Sequence, residues 1–320
     1  MAIKPNSKPT SKPTPPPSKP LPQPGPTSKV GFMDIQVPRP ANPPPEFSSD
    51  SQRSKIRASA LQDYFARNVL NGDQFVCPYA ADCRASHPTN FYEGQLHHVG
   101  KNFDLIRNGR PFRIVVCGQE YGQPILHQTL EKRYRQVAVG SGQERRFSRT
   151  PGYRTRNPHM KGTTSLLRLL FERGLGKNHE GEFIRVNGAE THLFDAFALV
   201  NFLLCSATAG GKKGDSTPIM RKNCGRHFQA AITILQPTIL VCQGAGVANW
   251  LKTASAFDVR PIGAGRGRIQ KGELDIQVLE FTHPAARGNN NWGWNDRTPY
   301  LLGTVEPRVK EALRFLDCTP

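Results

Sequence analysis

Arg113-Ile114-Val115-Val116-Cys117-Gly118-Gln119-Glu120-Tyr121-Gly122 is the stretch on which the reading of the fold turns. From Ile114 to Cys117 the chain is apolar and largely β-branched, and at Gly118 it changes abruptly to polar and turn-forming residues. A short apolar run without polar alternation reads as a strand buried on both faces, the environment of parallel sheets. Runs of the same kind occur at 112–117, 194–201, 238–243 and 275–282. Helical patterns cover 59–69, 163–173, 219–235, 246–253 and 307–316. Strand and helix alternate, which predicts an α/β protein: a three-layer αβα sandwich around a short, mainly parallel four-stranded sheet. Such folds assemble their sites beyond the carboxyl ends of the strands. Two segments sit there in sequence, Gly118 to Gly122 and Thr282-His283-Pro284-Ala285-Ala286-Arg287.

Outward from this core the composition changes. Of the 28 prolines in 320 residues, 15 fall in the first 50, interleaved with Lys, Ser and Thr. A segment so poor in apolar periodicity cannot bury enough surface to offset its chain entropy. Residues 1–52 therefore read as a disordered tail, partly polyproline II, and 53–320 as one folded domain. The tail reads as a solvated linker, with an SH3-like protein partner as the alternative. No apolar run approaches membrane-spanning length, and no presequence or secretory pattern is present. The expectation is a monomer of the cytoplasm, associated with the nucleoid, without a membrane partner.

The net charge is +18, and the first 52 residues contribute little of it, with six Lys/Arg against three acids. A polyanion partner, DNA first, is the functional reading; a merely well-solvated basic surface is the plain one. Residues 132–161 favour the former, with nine Lys/Arg, one acid, and Phe147 and Tyr153 interleaved. Within them Arg145, Arg146 and Arg149 are the expected backbone contacts. Cations beside stacking rings suit single-stranded or distorted nucleic acid.

Seven cysteines without a secretion signal argue against a disulfide framework. Cys117 and Cys242 lie in apolar runs and read as small hydrophobes. Cys318 is terminal. Cys77 and Cys83 form one pair (Cys-Pro-Tyr-Ala-Ala-Asp-Cys), Cys205 and Cys224 a wider one. Four thiolates so placed suit an iron–sulfur cluster or zinc, and the spacing alone is equally that of free thiols.

Taken in order, these motifs resemble the uracil-DNA glycosylase superfamily, most closely its iron–sulfur branch. Gly118-Gln119-Glu120-Tyr121-Gly122 is similar to that family's first motif, GQDPY in one branch and GEAPG in another, with Tyr121 where both have Pro. Thr282-His283-Pro284-Ala285-Ala286-Arg287 resembles the second motif, HP(S/A)xxLR, with the Arg one place early. Asn201 and Cys205 match an Asn-x-x-x-Cys pattern. Ser216-Thr217-Pro218 leads into a helix bearing Cys224, and Gln236-Pro237-Thr238-Ile239-Leu240-Val241 resembles the P-x-x-I-V strand. Asn157-Pro158-His159-Met160 stands where the family places a Phe under the base, so Met160 takes that position and His159 is the alternative platform.

The resemblance implies a catalytic set of Glu120, His283 and Gln119, with Glu120 positioning water and His283 stabilising the departing base. It implies Asn201, Met160 and Gly118 around that base. Arg287 or Trp292 serves at the DNA as the wedge, and Cys77, Cys83, Cys205 and Cys224 hold a [4Fe–4S] cluster, zinc being the alternative. The reaction implied is hydrolysis of the N-glycosidic bond of uracil or a related deaminated or damaged base, in base-excision repair. The second function class is a nucleic-acid binder that keeps the fold and cluster without turnover, which the Tyr121 and Met160 departures favour. No Gly-rich phosphate loop ending in Lys-Ser/Thr competes with either.

Overall fold

A sheet of seven strands carries the molecule in a computed structural model that describes residues 45–87, 90–141, 152–208 and 214–318. Its strands are β1 (His98–Val99), β2 (Ile114–Gly118), β3 (Ala198–Asn201), β4 (Ile239–Gln243), β5 (Arg260–Gly263), β6 (Arg266–Lys271) and β7 (Leu274–Phe281). They lie in the order β5-β6-β7-β4-β2-β3-β1. The neighbours β7, β4, β2 and β3 are mutually parallel, with Gly118 opposite Asn201, Cys117 opposite Cys242 and Gln243 opposite Phe281. Antiparallel strands widen the sheet at both edges, β5 and β6 at one and β1 at the other. The sheet is thus mixed and wider than the four apolar runs suggested. The added strands are short or polar, as in Arg266–Lys271, so their apolar signal is weak.

Eight α-helices accompany it among the described residues: α1 (Ser51–Asn68), α2 (Ala80–Ala85), α3 (Leu130–Ser141), α4 (Gly152–Thr155), α5 (Pro158–Leu170), α6 (Pro218–Leu235), α7 (Ala245–Thr253) and α8 (Glu306–Cys318). Side chains of a strand alternate between faces, and the packing follows that period. Val115, Cys117, Val200, Leu240, Cys242 and Val278 join a core with residues of α1, α6 and α7. Ile114, Val116, Leu199, Val241, Leu279 and Phe281 join the other core with residues of α5 and α8. Both faces of the parallel strands are therefore dry, which is why those runs lack polar alternation. Cys117 and Cys242 are fully buried within this core, as small hydrophobes.

A second sheet of five strands includes Glu46–Ser49, which pairs in parallel with Phe183–Val186 and antiparallel with Leu105–Arg107. Residues 45–52, assigned to the tail in the sequence reading, are hence part of the fold, with Phe47 stacked on Phe112. Residues 1–44 lie outside the described residues. Helix α1 starts eight residues before the expected position. Asp50 caps it, its carboxylate accepting from Arg53 N at 2.9 Å. The first two turns bury only Ser54 and leave Ile56 exposed, so a buried apolar face appears only at Leu61 and Phe65.

Candidate active site and cysteine cluster

Because β2, β3 and β7 run parallel, the loops leaving them open at one edge of the sheet. Gln119 and Glu120 follow β2, Asn201 ends β3, and Thr282-His283 follows β7. Helix α5 brings its N-terminus over the same edge. Asn157 caps it, accepting from Met160 N at 2.9 Å, and Pro158 occupies the first turn where its missing N–H costs nothing. Thr163 of α5 is tied to Gln243, the last residue of β4, at 3.2–3.3 Å. Together they surround a cavity of about 910 Å³ lined by Gln119, Glu120, His159, Met160, Asn201 and His283, among others. Five of the sequence-derived site residues thus meet in one place. Gly118 lies just behind them, buried at the end of β2 against His159 and Asn201.

Among the polar atoms at this cavity that are buried without hydrogen-bond partners are Glu120 Oε2, Asn201 Nδ2 and His159 Nδ1. Buried polar groups are normally paired, so unpaired ones facing a cavity are groups held for a ligand. Burial raises the Glu120 carboxyl to about 7, against the opposing pull of the Ser206 hydroxyl and the Ala207 N–H and with help from Asp215. The Ser206 hydroxyl itself donates to Gln95 Oε1 at 2.6 Å. Gly214 closes over the carboxylate, and a Cβ there would collide with Glu120 Oε1.

His283 keeps much of its ring open at the cavity mouth, and the walls still lower its pKa by desolvation. Pro284 has no N–H, so the next one along, that of Ala285, donates to His283 Nδ1 at 3.1 Å. An N–H donates only to an unprotonated ring nitrogen, so the neutral ring carries its proton on Nε2. His159 stacks beside it and is held neutral to about 3, by burial first and then by the neighbouring His283 and Arg133.

Several residues here had not been singled out. Arg133, Gln136 and Val137 come from α3, inside the stretch 132–161 that read as one basic segment. Leu130, Tyr134 and Val137 are spaced as one helix face, which is the signal that was present. Arg133 lies over the Tyr121 ring at 4.1 Å, and Gln136 pairs with the Tyr121 hydroxyl. Tyr121 therefore docks its loop onto α3. Arg156 lines the cavity and is held from behind by buried Glu182, at 2.6 Å, and by Thr164 at 2.9 Å. His192 meets the same Glu182 at 3.1 Å. Burial raises the Glu182 carboxyl, but the His192 hydrogen bond and the Arg156 charge outweigh it and hold the group below the ordinary range.

The expected DNA contacts divide. Arg145, Arg146 and Arg149 lie outside the described residues. Arg287 is exposed and does not line the cavity. Trp292 is fully buried against Phe281, and its indole N–H donates to Thr282 O at 2.7 Å. It anchors the loop and is no wedge; Trp294, 59% exposed, is the ring this loop presents to solvent.

Cys77, Cys83, Cys205 and Cys224 converge on a small cavity shared with His227 and Asn223. Asn223 Nδ2 donates to Cys83 Sγ at 3.5 Å, and His227 Nε2 lies 3.6 Å from Cys77 Sγ. Burial first, and then the charges of Cys224, Cys77 and Cys83, push the Cys205 thiol well up; Cys224 is pushed up to about 12 in the same way. Among the described residues no three His, Cys, Asp or Glu side chains are grouped as the ligands of a single metal ion.

No protein-family model matches this chain, and no curated protein matches its sequence. None of the helices among the described residues is long and apolar enough to cross a membrane.

Proposed function

We propose that this protein is a DNA glycosylase that hydrolyses the N-glycosidic bond of uracil, or of a related deaminated or damaged base, flipped out of DNA. On this reading the architecture is a three-layer αβα sandwich built on the four parallel strands, as the uracil-DNA glycosylase resemblance implies. The observation that carries the reading is the convergence of Glu120, Asn201 and His283 on one cavity, two of them with unpaired polar atoms.

The chemistry follows from those groups. The Asn201 amide donates to the base's O4 and accepts from N3–H, a pattern cytosine reverses. Glu120, ionised, accepts a proton from water as the water oxygen bonds to the sugar C1′. The bond from C1′ to the base nitrogen breaks, and its electron pair leaves on the base. His283 Nε2–H stabilises the charge growing on the base oxygen, which a preorganised neutral donor does without reorganisation. His159 and Met160 line the space beside the base, and Gln119 stands beside Glu120 in the wall.

Cys77, Cys83, Cys205 and Cys224 would hold a [4Fe–4S] cluster, with zinc as the alternative. Four thiols sharing one apolar cavity is the donor set such a group needs. When bound, the group supplies a structural tie between the loop of Cys77 and Cys83 and the segment from β3 to α6. DNA is the partner, attracted by the net charge of +18.

Release of free base from uracil-containing single- and double-stranded oligonucleotides tests the reading. The expected result is base release by the wild type, lost in Glu120→Gln with DNA binding retained. Tight binding by the wild type with no base released would overturn it in favour of the non-catalytic binder.

A further inference from the structure

A second cavity, of about 660 Å³, lies between α6 and α7 and shares no lining residue with the first. One wall is a stripe of α6: Pro218, Arg221, Lys222, Gly225, Arg226 and Gln229, the i, i+3, i+4 spacing of a single helix face. From Pro218 to Gln229 that stripe is about 16 Å long at the α-helical rise. The opposite wall comes from Asn249, Trp250 and Thr253 of α7 and the three residues after it. The helices meet closely at Gly225, where a Cβ would collide with the Ala254 carbonyl. The groove floor is therefore set by backbone packing and does not await a ligand.

Its charge is one-sided. Arg221, Lys222 and Arg226 all line it, no Asp or Glu does, and no ion pair among the described residues engages any of the three. Arg221 lies over the Trp250 ring at 5.4 Å, with Ser216 at 3.4 Å. Arg226 donates to the Tyr79 hydroxyl at 2.8 Å and sits over that ring. Neutral partners orient these cations without cancelling their charge. Elsewhere the exposed arginines commonly find carboxylates, as Arg268 does with Asp275 and Arg135 with Glu131. A row of three uncompensated cations repels itself unless a polyanion lies along it.

The groove also begins near the first cavity. Gly214 lines that cavity and Pro218 lines the groove, and four residues of chain span at most about 14 Å. A strand leaving the first cavity is within reach of the groove. We propose that the α6–α7 groove is a second nucleic-acid contact, holding the phosphodiester backbone of the single strand that runs from the base pocket. This rests on the reading that DNA occupies the first cavity.

The test is fluorescence anisotropy with fluorescein-labelled single-stranded oligonucleotides that contain no excisable base, so that turnover plays no part. In the triple variant R221Q/K222Q/R226Q the slope of log affinity against log salt should shrink by about two units, at about 0.7 per phosphate contact on a single strand. A trinucleotide, too short to reach the groove, should bind wild type and variant alike. If the triple variant fails to fold, Lys222→Gln alone, at an exposed position, should still lower the slope by about 0.7. Bromodeoxyuridine placed at successive positions along the strand should crosslink to peptides of α6 or α7. An unchanged slope, or crosslinks confined to the first cavity, overturns the proposal. Base release is measured separately. No release with a variant-sensitive slope overturns the glycosylase reading and keeps the groove; release with an unchanged slope does the reverse.

Discussion

His159 and His283 stack with ring centroids 5.5 Å apart and planes inclined by 26°. Burial first, and then the neighbouring His283, keeps His159 neutral, while desolvation lowers the pKa of His283 itself. The pair presents the Nε2–H of His283 as a fixed neutral donor. Replacing His283 by Ala should slow base release by about 10²- to 10³-fold, the loss expected for one oxyanion donor. His159→Phe keeps a ring in the stack and should retain much of the rate. Single-turnover kinetics on a uracil oligonucleotide measure both, and equal losses in the two variants would show that the stack alone is not what matters.

Glu120 predicts the pH profile. A water-activating carboxylate works ionised, and burial places its transition at about 7. Release should therefore rise through pH 7 and level off above it. The same shift affects stability with a definite sign. Between about 4.5 and 7 the folded state holds a proton that the unfolded state has lost, so stability falls as pH rises through that window. Glu120→Gln removes the effect. The variant should melt higher than wild type at pH 8, with the gap narrowing towards pH 4.5, and lose base release by roughly 10²-fold.

Gly214 permits the Glu120 position. Gly214→Ala pushes a methyl into the carboxylate and should reduce base release, while melting temperature and affinity for DNA without uracil stay near wild type. Retained release would mean that the 214 backbone moves aside freely.

The buried set of Arg156, Glu182 and His192 predicts acid lability. The Glu182 carboxyl is held below its ordinary range, so its contribution is complete above about 4.5 and is lost as pH falls through the lower folded value. Glu182→Gln removes the buried carboxylate that meets both Arg156 and His192 and should cost about 3–5 kcal/mol at pH 7. Urea unfolding at pH 7 and pH 4 measures this, with the difference between variant and wild type smaller at pH 4.

The cysteine set is tested by content. Anaerobically purified protein should be brown and carry iron and sulfide in equal amounts, and any one of Cys77→Ser, Cys83→Ser, Cys205→Ser or Cys224→Ser should lower both. Stoichiometric zinc without visible absorption identifies the alternative, and absence of both metals removes the group altogether.

Much of the fold was legible because β2 and β4 are apolar runs, β7 is mainly apolar, and the helices that cover them repeat their apolar residues at helical spacing. Ile114 to Cys117 reads as a buried strand without any neighbour being known, and Pro158 and Pro218 mark helix starts by backbone chemistry alone. The edge strands β5 and β6 were not legible, since Arg266–Lys271 holds its place by hydrogen bonding to β7 and Arg260–Gly263 by hydrogen bonding to β6, and neither by an apolar pattern of its own. The start of α1 was missed for a similar reason: its first two turns bury no apolar side chain. At the site, Glu120, Asn201 and His283 were visible because each stands where an apolar run ends.

What the sequence determined by itself is therefore local: strand and helix identity, caps, the positions of polar residues at strand ends, and a strongly basic charge. Tertiary structure alone decided which of those residues meet. Trp292 and Trp294 differ by two positions in one loop, yet one is entombed against Phe281 and the other is exposed. Arg133 and Arg156 look like surface cations in a basic segment, yet both are buried in the cavity wall beside Tyr121 and Glu182. Cys77 and Cys224, distant in the chain, share one cavity. Burial and partnership depend on contacts between segments far apart in sequence, and no local pattern encodes the desolvation that those contacts impose.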